Sequence, residues 1–142
     1  MSAGRFRAIL DDMRSITPDE FGTLVGEGLD AVPEKFRKKL SNVAIIVEDE
    51  PTTEQRRKLR LRRDHDLFGL YEGVPQTARG DHYYWVLPDK ITIFRKAILA
   101  HARDADDARE MVRDTVWHEI AHHFGMDERE VRRREGKRRS GA

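Results

Sequence analysis

One stretch constrains this chain more than any other: Trp117-His118-Glu119-Ile120-Ala121-His122-His123-Phe124-Gly125-Met126-Asp127-Glu128, in which H-E-x-x-H is followed by glycine. Two imidazoles four apart on a helix lie on one face, about 40° apart around the axis, within reach of a single ion. Zinc suits such ligands, because its catalytic sites take three N or O donors and keep a fourth position for water. Glu119 falls on the neighbouring strip, where it reaches that water without ligating the ion, and is the candidate general base. The helix also has two sides to cover. Val112, Val116, Ile120 and Phe124 make one stripe, and Met111, Thr115, His118 and His122 fall on another side. The first is expected in the core. The second is expected to face a cleft beneath a sheet, so the fold must wrap this helix.

Gly125 supplies the positive φ that ends a helix and turns the chain back. Counting from His118, the third ligand of the longer pattern H-E-x-x-H-x-x-G-x-x-(H/D) falls at Glu128. Its carboxylate is one methylene longer than that of Asp, and Asp127 beside it is the alternative third ligand. His123 projects with the core stripe and is read as a hydrogen-bonded histidine at the core edge, outside the site. The chain has no cysteine, so His and carboxylate must carry any metal chemistry.

Residues 115–128 resemble the active-site helix of the small bacterial zincin-like metallopeptidases, the mini-zincins. Residues 42–51, 67–75 and 87–94 are similar to that family's other recurring blocks, in the same order, so the resemblance runs from about Phe21 to about Val131. It implies an α+β, minimal zincin-like domain: a small mixed β-sheet with packed helices and a C-terminal active-site helix. It also implies a Zn2+ cofactor and a peptide or protein substrate whose identity the sequence does not give. An edge strand around Tyr71 to Thr77 is expected to hold an extended peptide through main-chain hydrogen bonds. Arg79 and Tyr84 are candidates for stabilising the oxyanion. Larger metzincins place a methionine turn below the metal; no methionine follows Met126 here, so that support must come from elsewhere.

The remaining chain reads as one domain over residues 15–135, with a flexible extension over 1–14 and a basic, disordered tail over 136–142. Thr17-Pro18-Asp19-Glu20 is a helix start, with Thr as N-cap and Glu placed to complete a capping box. Phe21, Leu24, Val25, Leu29 and Val32 mark its buried face, and Pro33 opens a second short helix through Leu40. Together these predict a helical hairpin over one side of the sheet. Val43-Ala44-Ile45-Ile46-Val47 reads as a strand buried on both faces, Leu67–Gly73 as a short strand, and Ile91–Phe94 as an alternating strand. Tyr83, Tyr84 and Trp85 wall a substrate pocket or cover the sheet end, and His82 reads as a surface residue.

The net charge is only +1, but the 37% of residues that are charged are unevenly placed. Arg56–Arg63 is the most basic internal run; acidic residues follow it and no aromatic interrupts it, which favours a solvated face over a nucleic-acid surface. No stretch approaches the roughly 20 apolar residues of a membrane span, and the first residues lack a secretory apolar region, so the expectation is a soluble, cytoplasmic protein. An edge strand and a small apolar surface are compatible with a homodimer. The rival to a zinc peptidase is a catalytically inactive zincin scaffold that binds nucleic acid or an acidic protein partner.

Overall fold

The computed structural model describes residues 16–60, 67–73, 89–126, 129, 130 and 133. The N-terminal extension, Arg79, His82, the aromatic run Tyr83–Trp85 and the C-terminal tail lie outside the described residues. The architecture is the expected α+β: helices α1 (Pro18–Asp30) and α2 (Glu34–Arg37), strand β1 (Val43–Glu48), helix α3 (Thr53–Lys58), strands β2 (Gly69–Glu72) and β3 (Asp89–Phe94), and helices α4 (Arg95–His101) and α5 (Ala105–His123). The three strands form one mixed sheet in the order β1-β3-β2. β1 runs parallel to β3, from Val43 opposite Asp89 to Glu48 opposite Phe94, while β2 is antiparallel to β3.

Sheet order corrects the reading of β1. Its apolar run lies at an edge of the sheet, and Val43 to Val47 are only half-buried. The strand covered on both faces is β3, where Ile91, Thr92, Ile93 and Phe94 are all inaccessible to solvent although successive side chains point to opposite faces. A continuous apolar run and a central position therefore do not coincide. β3 is central because both other strands pair with it.

Helix α1 starts at the expected N-cap, Thr17, but without the reciprocal Glu20 half of the expected capping box. The Glu20 amide donates to Thr17 Oγ1 at 3.1 Å, and Pro18 occupies the first turn, where its missing N–H costs nothing. Phe21 and Val25 enter the core, but α1 packs mainly on α5 and only touches the sheet at β1. The contact is close because Gly28 faces α5: a Cβ there would stand 3.3 Å from Val116 Cγ2. The second helix is a single turn ending at Arg37, shorter than expected. Its Phe36 inserts between Trp117 and Phe124, with ring centroids 5.3 and 5.5 Å away, and so buttresses the end of α5.

The full capping box occurs at α3. Thr52 Oγ1 accepts from the Gln55 amide, and the Gln55 side chain accepts from the Thr52 amide. The pattern Thr52-x-x-Gln55 is a helix start of the same kind as that at Thr17, though it is absent from the expectations above. Gln55 Nε2 also donates to Glu72 at 3.0 Å, which ties α3 to β2. Arg57 and Lys58 are exposed, as a solvated helix face requires, while residues 61–63 of the basic run lie outside the described residues.

Candidate metal centre

Helix α5 is fixed at both ends by its own sequence. Asp104 accepts from the Asp107 amide at 2.7 Å, and the Asp107 carboxylate accepts from the Arg103 amide at 2.9 Å. That backbone bond, then the Arg103 guanidinium, holds the Asp107 carboxyl below the usual carboxylate range. At the far end Gly125 takes φ 78°, its amide donates to His122 O, and the Met126 amide donates back to Ala121 O. This is the Schellman pattern, which satisfies two carbonyls that the helix end would otherwise expose.

Between those ends the predicted stripes are realised. Val112, Val116 and Ile120 are fully buried, and His118 and His122 are half-buried on the side that faces β2. The two imidazoles converge, with Nε2 of His118 and Nε2 of His122 3.2 Å apart and the rings inclined at 71°. Two nitrogens bound to one tetrahedral zinc stand about 3.3 Å apart, given Zn–N bonds of about 2.0–2.1 Å. The pair therefore matches the ligand spacing of that ion. The same separation lets one ring donate to the other, so both nitrogens also have a partner in the metal-free chain.

Glu119 is 6% exposed and lies beneath the edge strand. The strand comes this close because residue 69 has no side chain: a Cβ on Gly69 would meet Thr115 Cγ2 at 2.6 Å and Glu119 Cγ at 3.1 Å. β2 therefore roofs the helix at the position of the candidate base. On one side lies a cleft of ≈ 520 Å³, in which His118, Glu119 and His122 face Leu70 and Tyr71, with Leu59 and Met126 closing it. On the other side a smaller cleft of ≈ 300 Å³ includes Phe68 and Asp114 and shares His118 and Glu119. Leu59, 43% accessible, is the large hydrophobic left exposed among the described residues.

The structure thus brings together His118, Glu119 and His122, three of the residues read from the sequence. Asp127 and Glu128, the alternatives for a third ligand, lie outside the described residues, and among the described residues no group of three or more His, Asp or Glu is placed to hold a metal. His123 is a core histidine as expected: it is wholly buried, with Nδ1 2.8 Å from Asp89 Oδ2. Tyr71, read as the start of the edge that holds substrate, lines the cleft; Leu59 and Gly69 line it too, although the sequence reading assigns those two no such place. A glycine inside a strand is itself a signal of close backbone approach, and Gly69 carries that signal. Leu59 carries none.

A helix bearing H-E-x-x-H, packed beneath the edge strand of a small mixed sheet, defines the zincin class of architecture. The chain belongs to the zincin-like metallopeptidase family, whose model matches residues 40–138. Among solved structures the fold is similar to that of a conserved hypothetical protein (TTHA0227) from Thermo thermophilus. That match has 24% sequence identity and a TM-score of 0.51, and it covers 77% of this chain and 94% of that one. No curated protein matches the sequence. Among the described residues no helix is long and apolar enough to cross a membrane.

Proposed function

We propose that the protein is a zinc-dependent metallopeptidase that cleaves peptide bonds in a substrate bound along β2. The observation that supports this reading best is the convergence of His118 Nε2 and His122 Nε2 to 3.2 Å beside Glu119, at the floor of an open cleft. His118 and His122 are two ligands, and Glu128, or Asp127 in its place, supplies the third. Zinc held there supplies Lewis acidity, polarising a carbonyl oxygen and making water more acidic. Glu119 accepts the proton of the attacking water on its carboxylate and delivers it to the leaving amine nitrogen. Burial beneath Gly69 restricts Glu119 to few orientations, which suits a group that must address one proton. Among the described residues β2 lies at the edge of the sheet, where it offers main-chain partners to an extended peptide, and Leu59, Leu70 and Met126 offer its side chains an apolar wall.

The test begins with metal content, measured by elemental analysis on protein purified without added metal or chelator. Wild type is expected to carry zinc near one equivalent, and His122→Ala to lose it. Glu119→Gln should keep the metal while hydrolysis of a peptide library falls by roughly two or more orders of magnitude, in line with general-base catalysis. Retained hydrolysis removes Glu119 from the base role. A wild type that binds no zinc through His122 leaves the non-catalytic binding scaffold as the reading to pursue.

A further inference from the structure

The two histidines project from the last two turns of α5, and their direction depends on how that end of the helix is rotated about its own axis. One residue beyond His122, a turn of about 100° carries His123 away from the cleft and into the core. There His123 Nδ1 lies 2.8 Å from Oδ2 of Asp89, which is itself 2% exposed. The Tyr71 hydroxyl donates to the same oxygen at 2.7 Å, and its ring meets the imidazole edge-on, with centroids 5.9 Å apart. Gly73 covers the carboxylate: its φ is 157°, and a Cβ there would stand 2.5 Å from Asp89 Oδ1. Three elements thus meet at one carboxylate, β2 through Tyr71, β3 through Asp89 and α5 through His123.

Apolar side chains would fill this space without the cost of removing a carboxylate from water. What they lack is direction. Hydrogen bonds weaken steeply when misaligned, so a shared acceptor fixes both the rotation of the helix and the distance of the strand above it. Tyr71 also lines the cleft that contains His118 and His122, so one oxygen connects the roof of the site to its floor.

We propose that Asp89 is a positioning residue for the metal centre: through His123 it holds α5 in the rotation that presents His118 and His122 to the cleft, and through Tyr71 it holds β2 above them. The inference rests on the metal-binding reading. Two measurements test it, zinc affinity by competition with a chromophoric chelator, and amide hydrogen exchange on metal-free protein. Asp89→Ala is expected to weaken zinc binding about tenfold, the lower end of the loss seen when groups that orient metal ligands are removed. It should also speed exchange selectively at Ile120 to Gly125 relative to α1. Asp89→Asn, which keeps an oxygen for both donors, should recover most of the affinity.

Unchanged zinc affinity in Asp89→Ala, or exchange that quickens evenly through the domain, would show that the cluster contributes only global stability and would overturn the proposal. If wild type binds no zinc, the metal-binding reading fails by itself; selective exchange then still supports the positioning role, and uniform exchange overturns it. Should Asp89→Ala not fold, Tyr71→Phe removes a single donor and is read by the same two measurements. Unchanged affinity together with unchanged exchange in that variant overturns the proposal.

Discussion

Gly69 shows how one missing side chain can set the geometry of a site. Its bare backbone lets β2 settle onto α5 where Thr115 and Glu119 emerge. Gly69→Ala drives a methyl to 2.6 Å from Thr115 Cγ2, and that β-branched neighbour has little rotamer freedom with which to yield. The expected cost is about 1–3 kcal/mol, the range for overpacking a filled site, measured by urea unfolding. Thr115→Ser removes the clashing methyl, so in the Gly69→Ala background it should return a large part of the loss; no recovery would show that the strain lies elsewhere. At this scale the histidines and Glu119 are legible from spacing alone, because residues on one helical turn have a known relation. Asp89 is not. It opens β3 with nothing local to mark its role, and its partners His123 and Tyr71 lie 34 and 18 positions away.

Among the elements, α5 carries most of the site, and its ends are the most readable parts of the chain. Gly125 takes the positive φ expected of it, and acidic residues occupy the first turn, where they suit the helix dipole. The linkage of Asp107 to pH follows from its folded-state pKa, which lies below the ordinary value. A carboxyl with a depressed folded pKa contributes stability above its unfolded pKa, near 3.8, and loses it as pH falls through the folded value. Asp107→Asn is therefore expected to melt below wild type at about pH 7 and to converge with it in strong acid, as followed by thermal melts at several pH values. A difference that persists at the lowest pH would assign the effect to something other than this charge. The strands are harder to read. β1 has the more apolar sequence, yet it is the edge, and β3 has the pattern of an alternating strand although both its faces are buried.

Over the whole molecule, the proposed zinc site would make metal binding and folding one linked equilibrium, since an unfolded chain cannot keep the pair of imidazoles at 3.2 Å. Free zinc at about a hundred times its dissociation constant should add about 2.7 kcal/mol to the stability of wild type, raising its melting temperature by several degrees. A strong chelator should reverse the shift, and His118→Ala should show none; a melting temperature indifferent to both zinc and chelator would contradict the linkage. What the sequence by itself determined is local: the helix that bears His118, Glu119 and His122, its caps, its glycine stop and the two faces it must bury. Those features follow from a helical repeat of about 3.6 residues and from the dihedral preferences of single residues, and they are present before anything packs. Only the tertiary structure decided which strand is central, where the edge strand roofs the helix, and that Tyr71, Asp89 and His123 share one oxygen. These are agreements between distant segments about distance and direction. No local pattern encodes them, because each partner alone has the composition of an ordinary strand or helix.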